Sequence, residues 1–284
     1  MPISLHPASQ FTPEQLAALL NASYGDYATP IRFRPDQFDF FVRAHDIVLE
    51  RSLVAQADGA PIGMVLLGQR DERGWVAGLG VEPSHRKQGV ARALMEGVMD
   101  NARKLGLKRL QLEVLSDNAR ARSLYQDLGW QLGRELLVWE REEAQGPLPI
   151  HRERAVVMDP GHLLETYFDA WHEVAPCWQR EKATLARYMD AGMQGWAIVR
   201  DQGPVAYVLG FPPRQRRMHL MDVAVDPAVG YKSAGRAMIQ NLHGMFRTTT
   251  QLPNEPVESQ LNFLFAAMAY HVVLRQHEMY LDLF

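Results

Sequence analysis

Two stretches of the chain share one order of residues, and this repeat restricts the possible folds more than any other feature. The first is GLGVEPSHRKQGVARALM (78–95) and the second is MDVAVDPAVGYKSAGRAMI (221–239). Each reads as an apolar strand, an acidic residue followed by proline (Pro83 and Pro227), a loop that contains glycine, and the start of a helix. The sequence therefore predicts that one structural unit occurs twice.

A second pair of similar segments supports duplication over chance. LYQDLGW (124–130) and LFAAMAY (264–270) follow the first pair in the same order. The chain has 284 residues, and single cores rarely grow beyond about 250. Between the copies lies EREEAQGPLP (140–149), charged and then rich in Gly and Pro, which is typical of a linker. The predicted domains are 1–143 and 150–284, joined by a linker at 144–149.

Local patterns in the first half predict alternating helices and strands. Asp58-Gly59 between two apolar runs is a strong hairpin signal, and Thr12-Pro13 is a typical helix start. The second half has a similar hairpin at Gly195–Phe211. This order predicts an α/β layout with a helical crossover. The predicted elements of the first half are a strand at 3–6, helices at 13–24 and 35–43, strands at 51–57, 61–68 and 75–81, a helix at 89–105, a strand at 108–115, a helix at 118–128 and a strand at 134–140.

Composition narrows the functional classes. The formal net charge is −3, so general nucleic-acid binding is not expected. Cys177 is the single cysteine, which excludes an internal disulfide. No apolar run reaches the roughly 18 residues of a membrane span, and the first residues do not resemble a signal peptide. The histidines show no zinc-ligand spacing. We expect a cytoplasmic protein with no bound metal and no membrane partner.

The loop at 81–91 has two interpretations from its residues alone. A strand that leads into a helix directs the free N–H groups of the helix start towards whatever lies above the strand, which favours an anion. Gly89 permits close approach of the backbone, and Arg86 and Lys87 add positive charge. The alternative is a solvated basic turn. Neither the triphosphate-binding loop motif nor the dinucleotide fingerprint is present.

A second motif, downstream of the loop, makes the sequence resemble one known family. The loop has the pattern R-x-x-G-x-A (Arg86–Ala91), and NARARSLYQDLGW (118–130) follows after one helix and one strand. Together they resemble the GNAT superfamily of N-acetyltransferases, over about 12–140 in element order. The resemblance implies two tandem GNAT-like domains, each a mixed, mostly antiparallel sheet flanked by helices, and an N-acetyltransferase that uses acetyl-CoA.

The resemblance also implies a set of cofactor-binding positions. The pyrophosphate of acetyl-CoA is expected on the loop amides, and the pantetheine arm along the preceding strand, where it adds to the sheet. The N–H of Val81 is expected near the thioester carbonyl. The positions are Leu79, Gly80, Val81, Arg86, Lys87, Gln88, Gly89, Val90, Ala91, Asn118 and Tyr125.

The implied reaction is direct attack of an amine on the thioester. Tyr125 matches the family position that protonates the departing thiolate. Glu113 is the first candidate for the base, and it is predicted to point opposite to Leu112 and Val114. Two alternatives remain open: Glu113 is a structural acid paired with an arginine, or a water relays the proton to Glu82.

The acceptor pocket of this family is shaped by the first two helices and their connection. Tyr24, Asp26 and Tyr27 are candidates for holding a cationic amine, and Arg32 with Arg34 for holding a carboxylate. A solvated loop with aromatic plugs is the alternative. The predicted partner is a small-molecule amine, with the protein a monomer or homodimer. A protein N-terminus or lysine as acceptor, and a non-catalytic CoA-binding module, are the competing hypotheses.

The second copy departs from the motif. Gly230, Ser233 and Gly235 replace Arg86, Gly89 and Ala91, and a phenylalanine at 265 replaces the tyrosine. Phenylalanine cannot donate a proton. The sequence therefore predicts that the second domain is catalytically inactive.

Overall fold

A computed structural model describes residues 3–26, 32–149 and 151–284. The chain forms two compact units, one of Met1–Gly133 together with Glu278–Phe284 and one of Arg134–His277. This division differs from the boundary expected at 144–149, because the chain leaves the first unit within one strand and returns to it within its last strand. Among the described residues, no helix is long and apolar enough to cross a membrane.

The first unit contains a mixed sheet with helices on both faces. Its strands lie in the order β1-β2-β3-β4-β5, followed by the end of the last strand, β12 (His271–Asp282). Pairs within β1–β4 are antiparallel, whereas β4 and β5 are parallel and are joined by the crossover helix α3. The elements are β1 (Ser4–Pro7), α1 (Pro13–Ser23), α2 (Pro35–Ala44), β2 (Leu53–Ala57), β3 (Ala60–Arg70), β4 (Arg73–Val81), α3 (Val90–Lys104), β5 (Arg109–Leu115), α4 (Ala119–Asp127) and β6 (Gln131–Arg141), which runs into the second unit.

The second unit repeats this architecture. Its strands lie in the order β6-β11-β10-β9-β8-β7, and the one parallel pair for which a register is described, β10–β11, is again joined by a helix, α7. The predicted duplication and the mixed α/β fold class are therefore confirmed. The elements are β7 (Ala155–Met158), α5 (Pro160–Trp171), α6 (Lys182–Met189), β8 (Gln194–Arg200), β9 (Gly203–Gly210), β10 (Arg217–Val225), α7 (Arg236–Met245), β11 (Thr249–Pro256), α8 (Leu261–Ala267) and β12 (His271–Asp282).

Alternation of apolar residues builds two cores in the first unit. On one face of the sheet, β4 and β5 pack against α3 and α4 through buried side chains such as Val81, Leu112 and Val114. On the other face, β2 and β3 pack against α1 and α2, with Phe38 fully buried. Successive strand residues point to opposite faces, so each position on β4 and β5 faces one of these helix layers.

Candidate functional site

The parallel strands β4 and β5 separate before they end. They pair only through Arg73–Trp75 and Arg109–Gln111, although both continue for several residues. Ala77 is an extra residue on β4, since Gly78 and Val76 face consecutive residues of β3. Such a bulge bends the strand and leaves a gap that widens towards the end of β4.

The edge of β4 presents main-chain groups to this gap. Glu82 N–H donates to Ile62 on β3 at 2.9 Å, so by the antiparallel alternation the main chain of Leu79 and Val81 points away from β3. The Leu79 carbonyl accepts a hydrogen bond from the Tyr24 hydroxyl at 2.8 Å, and the Val81 carbonyl accepts one from Arg86 Nε at 3.0 Å. The N–H groups are thus the groups that this edge can offer to a ligand.

The loop after β4 forms an anion cradle. Gly89 has φ of +83° and is the N-cap of α3, with no side-chain cap, and Lys87 also has positive φ, at 65°. In the described part of the chain, the N–H groups of Lys87, Gln88 and Gly89 donate to no protein acceptor. The first N–H groups of α3 also lack an intrahelical partner. Together with the helix dipole, these donors suit a phosphate.

Replacing Gly89 by alanine is expected to weaken acetyl-CoA binding and to destabilise the fold by about 1 kcal/mol, because a Cβ disfavours positive φ. Gly106, which follows the other end of α3, is the matched control. It also has positive φ, at 71°, and like Gly89 has open space where a Cβ would lie. Both variants should lose similar stability in urea denaturation, and only Gly89→Ala should lose affinity in calorimetry. Equal affinity losses would contradict the cradle.

The side chain of Arg86 is held by protein groups outside the cradle. Its guanidinium donates to the Ser23 carbonyl at 2.9 Å and to both carboxylate oxygens of Asp26, at 2.6 and 2.9 Å. The hydrogen bond from Arg86 lowers the pKa of Asp26. Asp26, predicted to face the acceptor amine, therefore lies against Arg86. Lys87 is exposed and is the cation of this loop without a described protein partner.

The α4 segment places the second motif beside the gap. Asn118 is the N-cap of α4, and its side chain accepts from Ala121 N–H at 3.1 Å. Tyr125 is 7% exposed and lies in the same apolar cluster as Val81 and Val90, the residues that flank the loop. Its ring centroid is 6.1 Å from that of Trp130. The structure thus brings the loop and Tyr125 to one side of the sheet.

Glu113 lies on the opposite face of the sheet, towards α2. Its carboxylate accepts a hydrogen bond from Trp75 Nε1 at 2.8 Å, whereas Leu112 and Val114 point into the core under α3. The Trp75 ring also contacts Phe41 and His45 of the α2 segment, with centroids 6.3 and 5.4 Å apart. The sequence alone does not predict this aromatic group, because the group depends on how the α2 segment packs over β4.

Three acceptor candidates remain, Tyr24, Tyr27 and Arg32, together with the neighbouring Arg34. Tyr24 lies over β4, where its ring and Ser23 occupy the space above Gly80: a Cβ at Gly80 would be 2.6 Å from Ser23 Cβ. Arg32 is exposed, and the neighbouring Arg34 pairs with Asp36 at 2.8 Å. Tyr27 lies outside the described residues.

The second unit has the same gap, but an arginine fills it. β10 and β11 pair only through Arg217–His219 and Thr249–Gln251. The guanidinium of Arg180, 1% exposed, donates to the Met221 carbonyl on β10 at 3.2 Å and to the Pro253 carbonyl on β11 at 3.5 Å. It also pairs with the buried carboxylates of Asp222, at 2.9 Å, and Glu255.

The charged groups around Arg180 shift one another's pKa values. Burial alone would raise the pKa of Asp222, but the adjacent His172 and Arg180 lower it to about 2. Burial alone would lower the pKa of His172, but the Asp222 carboxylate, 3.1 Å away, leaves it raised. Tyr207 donates to Asp222 at 2.8 Å. In the sequence, the one sign of this network is Asp222, an acidic residue within the apolar run MDVAV (221–225).

The loop of the second unit also lacks the cradle. A short π-helix at Tyr231–Gly235 replaces it, and the N–H groups of Ser233 and Ala234 donate to the Gly230 carbonyl at 3.3 and 3.2 Å. Phe265 occupies the place of the tyrosine and is fully buried against Trp139. These donors are used within the protein, unlike those of the first unit.

Comparison with known proteins agrees with this geometry. Residues 14–130 match the acetyltransferase (GNAT) family model. No protein of curated function matches the sequence. Among solved structures, a tandem GNAT protein from the clavulanic acid biosynthesis pathway superimposes with a TM-score of 0.74 at 14% identity, covering 100% of this chain and 99% of that one. A GCN5-related N-acetyltransferase from Sphaerobacter thermophilus gives 0.70 at 17% identity, covering 99% and 96%.

A third structure covers 99% of this chain but 38% of its own. It is a GCN5-related glucosamine N-acetyltransferase region of a fungal multi-domain GH3 β-N-acetylglucosaminidase, with a TM-score of 0.75 at 14% identity. At these identities the likeness concerns the fold. The family match covers the loop, the gap and Tyr125. The first unit therefore matches the acetyltransferase (GNAT) family over residues 14–130, and the whole chain has the fold of tandem GNAT proteins.

Proposed function

We propose that the first unit is an N-acetyltransferase that uses acetyl-CoA and acetylates a primary amine of a small molecule. The observation that carries this proposal is the uncapped start of α3, where loop N–H groups and Gly89 form an anion cradle at the end of a strand whose edge is open. The residues present fit acetyl-CoA: the cradle suits its pyrophosphate, and the Leu79 and Val81 N–H groups suit carbonyls of its extended arm. Acetyl-CoA would supply an activated acyl thioester.

The two proton transfers of the reaction take place on opposite faces of the sheet. Tyr125, on the α4 side, donates a proton to the departing sulfur, whose thiol has an ordinary pKa of about 8.5. Glu113, on the α2 side, accepts the proton of the amine. A lysine-like amine has a pKa of about 10.4 and must lose a proton before it attacks. Trp75 holds the Glu113 carboxylate by its N–H bond.

The surroundings of Glu113 support a small acceptor. Trp75 is 2% exposed, and helix α2 covers this face through Phe38 and Phe41. The end of the α1–α2 connection is held to α1, since the Asn21 amide bonds both main-chain groups of Phe33, at 2.7 and 2.9 Å. An enclosed face of this kind suits a compact amine better than a peptide.

The direct test is release of CoA from acetyl-CoA with a panel of acceptors: glucosamine, a polyamine, free amino acids, and peptides with free N-termini or lysines. We expect at least one small amine to raise the rate above hydrolysis without amine. Turnover with peptides alone would identify a protein acceptor. Acetyl-CoA binding without turnover by any amine would contradict the enzymatic proposal and favour a binding module.

Replacing Glu113 by glutamine is expected to lower turnover about a hundredfold at neutral pH, with partial recovery at high pH, where more of the amine is already neutral. Glutamine keeps an oxygen that can accept the Trp75 N–H bond, so the fold should be retained. Glu82→Gln is the matched control, since Glu82 is the alternative proton acceptor. A large loss in Glu82→Gln with none in Glu113→Gln would transfer the role to Glu82.

A further inference from the structure

Arg86 makes a set of contacts that a phosphate ligand does not need. One guanidinium bonds the carbonyl at the end of β4 (Val81, 3.0 Å), the carbonyl at the end of α1 (Ser23, 2.9 Å) and both oxygens of Asp26. A planar guanidinium suits such a forked arrangement, and a lysine could not reproduce it. The side chain therefore links the end of β4 to Ser23 and Asp26, which lie 63 and 60 residues from Arg86 in sequence.

The charge of Arg86 is already balanced inside the protein. Asp26 forms a two-bond pair with it, and the Ser23 carbonyl belongs to the C-terminal end of α1, where the helix dipole favours a cation. To bind the Arg86 guanidinium, a pyrophosphate in the cradle would have to displace Asp26 and the Ser23 carbonyl. Lys87, next along the loop and exposed, has no such competition.

The segment that Arg86 holds carries acceptor-side residues. Tyr24 follows Ser23 directly, and its hydroxyl bonds the Leu79 carbonyl at the edge of the gap. Gly80 allows this approach, since a Cβ there would be 3.1 Å from the Tyr24 ring and closer still to Ser23. Movement of Arg86 would therefore move the end of α1 and Tyr24 relative to β4.

We propose that Arg86 is a positioning residue that joins the acetyl-CoA loop to the acceptor side, rather than a phosphate ligand. Its main chain directly precedes the cradle N–H groups of Lys87–Gly89, and its side chain holds Ser23–Asp26 over β4. Binding of acetyl-CoA at the loop thereby orders the start of the acceptor connection. This inference rests on the proposed function, because it assumes that acetyl-CoA occupies the cradle.

The test compares Arg86→Gln with Lys87→Gln, two substitutions that remove one charge each from adjacent loop positions. Acetyl-CoA affinity is measured by calorimetry, and hydrogen exchange of residues 21–26 is measured with and without acetyl-CoA. We expect Lys87→Gln to weaken affinity several-fold and leave the exchange unchanged. We expect Arg86→Gln to keep affinity within about threefold, to speed exchange at 21–26 about tenfold, and to remove its slowing by acetyl-CoA.

Asp26→Asn supplies a second, milder variant in case Arg86→Gln does not fold. It should show the same pattern with a smaller effect, since the Asp26 carboxylate is half exposed. Asp282→Asn, which breaks the exposed two-bond pair with Arg109 in the same unit, should change neither readout. Loss of affinity in Arg86→Gln as large as in Lys87→Gln, with exchange unchanged, would overturn the proposal. The exchange without ligand is independent of acetyl-CoA, so failure of the intact protein to bind acetyl-CoA would contradict the proposed function alone.

Discussion

Tyr125→Phe is expected to lower turnover about a hundredfold while leaving the affinity for acetyl-CoA within about twofold. The substitution removes one hydroxyl from a side chain that is otherwise held by apolar contacts with the core under α3. A positioned general acid contributes about 10² to 10⁴ in rate, and a thiolate is a good enough leaving group to place the effect near the lower figure. Steady-state kinetics and calorimetry on the same preparation separate the two quantities.

The matched control for this variant is Tyr167→Phe in the second unit, which removes a hydroxyl at a half-buried position on α5. It should alter neither turnover nor affinity. Unchanged turnover in Tyr125→Phe would remove Tyr125 from the mechanism. A loss of affinity equal to the loss of turnover would instead assign Tyr125 to binding.

Asp222→Ala is expected to destabilise the second unit by about 3–5 kcal/mol, because it leaves the Arg180 guanidinium buried with one carboxylate fewer. Hydrogen exchange in β9 and β10 should report the loss, which is large against a typical domain stability of about 5–15 kcal/mol. Asp169→Ala is the control: its exposed pair with Lys182 should contribute less than about 1 kcal/mol. Equal effects of the two variants would contradict the role of the buried network.

The same network has a defined pH dependence. The contribution of Asp222 is present above the ordinary carboxyl pKa of about 3.9 and is lost as the pH falls through its folded pKa of about 2. The raised pKa of His172 acts in the other direction: its contribution is present below pH 6.5 and is lost as the pH rises through the raised value. Stability of the second unit should therefore decrease on raising the pH above 6.5, and His172→Asn should remove that decrease.

Local chemistry made much of the first unit predictable. The predicted helices and strands of residues 3–141 all occur, with ends shifted by at most three residues, because capping residues, turn residues and periodicity act within a few residues. The positive φ of Gly89 follows from the same short-range constraint. The backbone conformation of this loop is thus predictable from its own residues.

Contacts between distant segments were not predictable in this way. The pairing of Arg86 with Asp26 spans 60 residues and depends on where α1 ends over β4. Arg180 enters the gap of the second unit only because β10 and β11 separate, and its four partners come from both strands. Residues Glu278–Phe284 belong to the first unit, although they follow the second repeat in sequence. No local sequence pattern specifies that the last strand returns to the first unit.

The filled gap of the second unit gives the predicted inactivity a physical basis. Arg180 occupies the space between β10 and β11, the N–H groups of Ser233 and Ala234 donate to Gly230 within the loop, and Phe265 has no proton to donate. We propose that this unit binds no acetyl-CoA in the manner of the first. The number of binding sites per chain then becomes a measurable consequence.

Calorimetric titration of the intact protein with acetyl-CoA tests this account most directly. We expect saturable binding with a stoichiometry of one acetyl-CoA per chain, at the cradle in Arg86–Ala91. Absence of binding would contradict the assignment of the first unit as an acetyl-CoA site. Two equivalent sites per chain would contradict the contrast between the open gap of the first unit and the filled gap of the second.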